Sequence, residues 1–522
     1  MAQIAYRGNL SAAIFPMTLA DAGRTVIAPQ ADQNFDRRVD PAGEQKDAGI
    51  PQAIYMENVL PTANGYQSVG FRARTALPAK SAGAGAVTVN HAFIVADGVD
   101  EAVILAREGT AGYEDVISNN INCSLAWQYQ SGATVPTGDK HSIAQVRGTN
   151  YWCDRTLLFT FTINTGTKQV TFTDVSGTVT GITVANIKYI CSSYNYLIAL
   201  MDDGSVAWSS TTTPTDFTVS LVTGAGSETP SGAANSQFLV EHPQGFYIYC
   251  QNSVVFAQYT GNSRYPWKFI PVADAGGYTD SVQVSGSYLT GAQYGIDNSN
   301  KIQIISGIKA ELVAPEVSTF LERKTYKDTF NYADNTFGYT SGTVNAHLNY
   351  ILDRYVVVSY GYTGSLLHNY AFVYDTLLQR YGTLEVDHAF ILASTSAVVF
   401  IPTAQGAIPY TWSLDIYDTN ATFQSALLLG KFQYIRSRNI KLEEVEIESA
   451  QDASRITQNF SLLLFPSLDG KNFNTPVTLT PTFTHELITA PTHKTAKNHS
   501  LLLKGAFDVN TIQLRFTLAG DR

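Results

Sequence analysis

Residues Asn195 to Thr218 read NYLIALMDDGSVAWSSTTTPTDFT. An apolar run from Tyr196 to Met201 meets Asp202-Asp203-Gly204, a second short apolar run ends at Trp208, and a polar coil follows. Apolar runs around Asp-Gly are the strongest short-range signal for a β-hairpin, because Gly supplies the positive φ that the turn requires. The stretch predicts a hairpin with Asp203 and Gly204 at its corner and Trp208 in the core behind it.

The same layout recurs along the chain. HAFIVADG turns into EAVILARE between His91 and Glu108, and TLLFTFTI into KQVTFTDV across Asn164-Thr165-Gly166-Thr167. GFYIYCQNSVVFAQYTG (Gly245–Gly261), YGIDNSNKIQII (Tyr294–Ile305), the pair within Asp353–Gly382 and AFILASTSAVVFIP (Ala389–Pro402) repeat it. Short strands bounded by Gly, Asn, Asp and Ser, at a spacing of roughly forty residues, match the blades of a β-propeller. The expected fold is all-β: a propeller of six to eight blades over 56–420 and a β-sandwich over 421–522. Before these lies an extended N-terminal arm, 1–55, with a polar segment from Pro29 to Gln52. A single β-sandwich is the simpler architecture, but it needs fewer hairpins than lie between about residues 66 and 416. Helix signals are nearly absent; APEVSTFLERK (Ala314–Lys324), with Pro315 near its start, is the best candidate.

Composition agrees. The chain has 522 residues, 44% hydrophobic and only 15% charged, against the roughly 25% charged of ordinary soluble domains. Its net charge is -10, and the densest basic stretch, Arg436, Arg438 and Lys441, runs straight into acidic residues. A protein that grips nucleic acid by neutralising phosphates carries a basic stripe, and none is present. Cys123, Cys153, Cys191 and Cys250 form no C-x-x-C pair. They read as buried thiols in a reducing compartment. No apolar run reaches the ~18 residues of a membrane span, and the N-terminus lacks the apolar core of a signal peptide. The expectation is a soluble protein made in the cytoplasm.

Catalytic patterns are missing. No phosphate-binding loop, nucleophile elbow, H-E-x-x-H or EF-hand spacing occurs. His485, His493 and His499 lie closest together among the histidines, in no common zinc spacing. Asp469-Gly470, within Ser467–Phe473, approaches an Asp-box with its Gly one residue early. Such boxes build turns. Arg147, Arg354 and Arg380 are the strand-borne arginines that a sialidase-like carboxylate site would have to bring together. Trp127, Trp152, Trp208, Trp267 and Trp412 mostly sit within strand patterns, as core residues do. No catalytic, metal or cofactor-binding residue is assigned.

Several segments together resemble one family. YMENVLPTANGYQSVGF (Tyr55–Phe71) is similar to an Asn-x-x-Pro-x-x-x-Gly opening, here Asn58, Pro61 and Gly65. DGSVAWSSTTTPTDFT, with Asp203, Gly204 and Trp208, resembles a D-G-x-x-x-W-S blade element. The Thr-Gly-Asn at Gly261 and Asn262 closes a strand–turn–strand unit that leads to a Pro-aromatic pair. YAFVYDTLLQRYG, with Asp375 and Arg380, resembles V-Y-D-x-x-L-x-R-W/Y-G, with Tyr381 where Trp is usual. LEEVEIESA and LLLFPSLDGKNF, the latter with Asp469 and Gly470, resemble the C-terminal sheet. In this order the segments are similar to the tail nozzle, tail tubular or packaged-DNA stabilisation proteins of short-tailed bacteriophages. The likeness runs from about Tyr55 to the end and leaves out the first fifty residues.

The resemblance implies a homohexameric ring in the virion tail, made in the host bacterial cytoplasm and docked between a head-to-tail adaptor and distal tail proteins. Duplex DNA would be retained in its channel and pass through on ejection without specific binding. An acidic balance suits such a channel, since a basic lumen would hold the DNA back. It implies no enzyme activity, cofactor or membrane. The alternative is a carbohydrate-binding or carbohydrate-cleaving propeller of a virion.

Overall fold

The computed structural model describes residues 13–18, 53–62, 65–78, 87–97, 100–109, 112–118, 128–129, 141–164, 169–233, 235–287, 290–321, 325–331, 336–341, 344–362, 367–394, 397–404, 406–413, 425–432, 439–449, 460–467, 475–484 and 487–518. Seven four-stranded antiparallel blades follow one another, six as separate sheets and one as the start of a larger sheet. Blade 1 spans 87–129, blade 2 142–174, blade 3 187–228, blade 4 236–271, blade 5 284–312 and blade 6 344–388. Blade 7 takes three strands from 390–413 and its fourth from Gly70–Ala73, where Trp412 faces Phe71 across the ladder. The early strand thus locks the last blade.

Each blade buries its faces against its neighbours, and the clusters close a circle. Val95, Ile104 and Ala106 of blade 1 pack on Trp152 and Phe159 of blade 2. Blades 2 and 3 share Leu158 and Leu197; blades 3 and 4 share Trp208 and Phe246; blades 4 and 5 share Tyr249 and Ile305. Ile302 of blade 5 and Val358 of blade 6 lie in one cluster, and Val357 and Phe400 join blades 6 and 7. Val399 and Leu105 then join blade 7 to blade 1. Closing the ring leaves only short strand edges free, which is why a propeller tolerates so many strands.

The helix expected near Ala314 is present as Pro315–Leu321, about two turns beside blade 5, followed by the hairpin of Thr325–Asn331 with Thr336–Ser341. Among the described residues no helix is long and apolar enough to cross a membrane.

The C-terminal hundred residues do not stand alone. One sheet orders Ala53–Glu57, Ala426–Phe432, Asn498–Gly505, Phe460–Ser467 and Val477–Leu479. The other is the far half of an eleven-stranded sheet that begins as blade 6 and continues through Val59–Pro61 and Tyr66–Ser68 to Asp508–Leu518, Ile440–Ser449 and Leu487–Ala496. Leu427, Leu462 and Leu501 of the first meet Val445, Ile488 and Leu514 of the second in one apolar cluster. Two stretches placed in the N-terminal arm also belong here. Ala53–Glu57 pairs with Ala426–Leu429, and Ala13–Thr18 with Thr511–Phe516. The described stretches of the arm, the propeller and the C-terminal sheets are interleaved.

Candidate functional site

Two regions concentrate the residues that sequence and geometry single out. The first is a seam where the opening segment meets blade 6. Asn58 is buried with φ +52, a left-handed kink that steers the chain from the five-stranded sheet into the eleven-stranded one. Asn tolerates this conformation better than other non-glycine residues. Its Oδ1 accepts the Glu385 N–H at 2.7 Å, and its carbonyl accepts Val69 N at 2.9 Å. Pro61 ends a three-residue strand, after which Thr62 and Gly65 close a turn on each other. A Cβ at Gly65 would stand 1.8 Å from the Val509 carbonyl oxygen, so only glycine lets Asp508–Leu518 come this close.

The Tyr370–Gly382 segment supplies the other wall. Asp375 is fully buried, and its Oδ2 accepts Arg354 Nε and Nη2 at 2.9 and 2.7 Å. Its Oδ1 caps the turn through Leu377 N and Leu378 N. Arg380 Nη1 donates to the Thr62 carbonyl at 3.0 Å, and a Cβ at Gly382 would lie 2.3 Å from the Val59 carbonyl. Asn58, Gly65, Asp375 and Arg380 are therefore parts of one construction.

Asp203 and Gly204 stand at the blade 3 corner. Gly204 N donates to Met201 O at 3.0 Å and Gly204 carries φ +83, while Asp203 Oδ1 accepts the N–H and hydroxyl of Ser205. These two bonds hold its carboxyl below the usual range. Only Gly204, not Asp203, takes the left-handed φ. Trp208 lies in the cluster between blades 3 and 4, its Nε1 donating to Gly224 O at 2.8 Å. Gly226 sits against its ring, where a Cβ would fall 2.8 Å from Cζ2. Gly261, at φ +73, and Asn262, whose Oδ1 accepts Arg264 N, shape the loop before Trp267. Asp469 and Gly470 lie outside the described residues, as do Cys123, Trp127 and His485.

Other carboxylates are similarly engaged. Asp154 caps Thr156 and Leu157, Asp216 accepts from Thr180 and Thr218, and Asp297 accepts from Ser299 and Lys301. Of the three arginines expected on strands only Arg380 lies in one: Arg147 stands in a blade 2 turn and reaches the Thr211 and Thr212 carbonyls, and Arg354 stands in a blade 6 turn and pairs with Asp375. The three arginines do not converge. No group of three or more His, Cys, Asp or Glu among the described residues has the geometry to hold a metal ion.

The second region was not anticipated. The turns joining the first and second strands of blades 2, 3 and 4 are two-residue hairpins at 147–148, 194–195 and 243–244. Between them lies a cavity of about 270 Å³, lined by Arg147, Ser192, Tyr194, Asn195, Glu241 and His242 among others. Burial pushes the Glu241 carboxyl above its ordinary range, against the Ser192 N–H and hydroxyl that its Oε1 accepts. Tyr194 donates its hydroxyl to Pro243 O at 2.9 Å and stacks on Tyr259, centroids 3.9 Å apart, yet stays 44% exposed. No spacing rule finds such a set, because its members come from three blades, each from the turn or the strand end of an ordinary hairpin.

No protein-family model and no curated protein matches the chain. Among solved structures it is similar to BamB from Moraxella catarrhalis, at 9% identity and TM-score 0.32 over 62% of this chain and 96% of that one. U3-55K matches at 10% identity and TM-score 0.37, over 66% of this chain and 98% of that one. A GH74 xyloglucanase from Xanthomonas campestris matches at 12% identity and TM-score 0.38, over 79% of this chain and 59% of that one. Likeness at these scores carries no argument about function; the propeller assignment rests on the seven four-stranded blades.

Proposed function

We propose that the chain is a structural subunit of a bacteriophage tail. In this reading it is a nozzle component that assembles into a ring below an adaptor, retains packaged DNA and passes it on ejection. The observation that carries the reading is the seam. The opening segment docks on the Tyr370–Gly382 segment through Thr62–Arg380 and on the strand Arg380–His388 that continues it through Asn58–Glu385, contacts that each span more than 300 positions, and both segments resemble the nozzle family. Residues of the resemblance serve assembly of the fold rather than chemistry. The engaged carboxylates, the separated arginines and the net charge of -10 point the same way.

Sedimentation of the purified chain, with a duplex DNA gel shift beside it, tests the proposal. The expected result is a particle several times the 56.8 kDa of one chain that shifts no duplex near physiological salt. A salt-sensitive micromolar complex would reveal a basic face and defeat the non-binding channel. A monomer at all concentrations would defeat the ring.

A further inference from the structure

We propose that the cavity between the first turns of blades 2, 3 and 4 binds a neutral, hydroxylated ligand, namely one sugar unit of a glycan. Its charges are balanced. Glu241 faces it with a carboxyl whose two hydrogen bonds both fall on Oε1, which leaves Oε2 to accept from a ligand hydroxyl. Arg147 engages the Thr211 and Thr212 carbonyls through Nη1 alone, which leaves its other N–H groups to donate to one. A phosphate or carboxylate ligand would meet Glu241, and an ammonium ligand would meet Arg147. Hydroxyl groups, which donate and accept, suit both.

The aromatic wall fits the same ligand. Tyr194 is held on two sides, by its hydroxyl on Pro243 O and by one ring face on Tyr259, so the opposite face is the one left open. A fixed aromatic face beside polar groups presents apolar area to the C–H face of a sugar ring at little entropic cost. Asn195, next to it at φ +67, adds an amide that donates and accepts. At about 270 Å³ the cavity falls below the roughly 300 Å³ at which drug-sized pockets begin, as one sugar unit requires. The turns are two-residue hairpins, each closed directly by its own strand pair.

The test titrates the full chain with neutral hexoses, N-acetylhexosamines and their di- and trisaccharides, followed by calorimetry and ligand-observed NMR. Two variants accompany it. Tyr194→Asn removes the ring with a residue suited to φ +47, and Glu241→Gln keeps an acceptor for Ser192 but discharges the group. At least one neutral saccharide is expected to bind, with both variants weakening it roughly tenfold or more at unchanged melting temperature. No binding of any neutral saccharide at millimolar concentration overturns the proposal. Binding that survives both variants, or stronger binding of sialylated or sulfated sugars, overturns it as well. None of these outcomes depends on whether the chain forms rings, so this site and the tail reading fail separately.

Discussion

Asn58 Oδ1 accepts the backbone N–H of Glu385 at 2.7 Å across 327 positions of sequence. Asn58 is 1% exposed and its φ is +52, so one residue both bends the chain and closes the bond. Asn58→Ala leaves the Glu385 N–H without its partner and puts a poorer residue in the left-handed region. We expect a loss of about 2–4 kcal/mol from the two effects together, measured by denaturant unfolding. Asn58→Gly keeps the bend and loses only the bond, so it costs less than Asn58→Ala. An equal or larger loss for Gly would mean that the bend matters little.

At the blade 3 corner the roles of neighbours separate. Asp203→Asn keeps an acceptor for Ser205 and is expected to be nearly silent in stability. Gly204→Val places a β-branched residue at φ +83 and should cost about 1–2 kcal/mol or more, although there is space for its Cβ. Thermal melts of the two variants check the order; a catalytic Asp203 would instead lose an activity with the fold intact.

Trp208→Ala removes one of the two tryptophans between blades 3 and 4 and strands the Gly224 carbonyl. The expected cost is about 3–5 kcal/mol, read as a drop in melting temperature. An unchanged melting temperature rejects its place in the core.

Blade 6 predicts acid sensitivity. His347, His368 and His388 lie side by side within it, ring centroids 4.2 and 6.0 Å apart, and His388 Nε2 meets Ser359 Oγ at 2.7 Å. Burial, reinforced by their mutual repulsion, lowers their pKa values to about 4, 3 and 3 from 6.5, and no carboxylate contributes. Above pH 6.5 both folded and unfolded forms are neutral and nothing is lost. As pH falls from 6.5 toward 4 the unfolded chain takes up protons that the folded one refuses, so stability drops on the order of 1 kcal/mol per pH unit for each histidine. Unfolding midpoints measured between pH 7 and 4.5 should fall steeply, and His368→Phe should flatten the slope. A pH-independent midpoint over that range contradicts the buried neutral cluster.

What the sequence showed and what it hid follow one division. The hairpin at Asp203-Gly204, the burial of Trp208 and the helix beginning at Pro315 are local, and turn chemistry with apolar spacing writes them into a dozen residues. Blade 7 borrows Gly70–Ala73, and Val59 pairs with Thr383. Such pairings follow from where the ring closes, which no short window contains. The Asn58 and Asp375 segments were visible as motifs, but their contact was not. The three histidines and the Tyr194–Glu241 cavity were invisible for the same reason. Each residue sits in an unremarked strand or turn, and only the sheet register and the packing of neighbouring blades assemble them.

Negative-stain images of the purified full-length chain test the tail reading most directly. The account predicts closed rings of identical subunits, six to a ring, around an open axial channel. Fields of single 56.8 kDa particles at every concentration, or assemblies with no central opening, would contradict it.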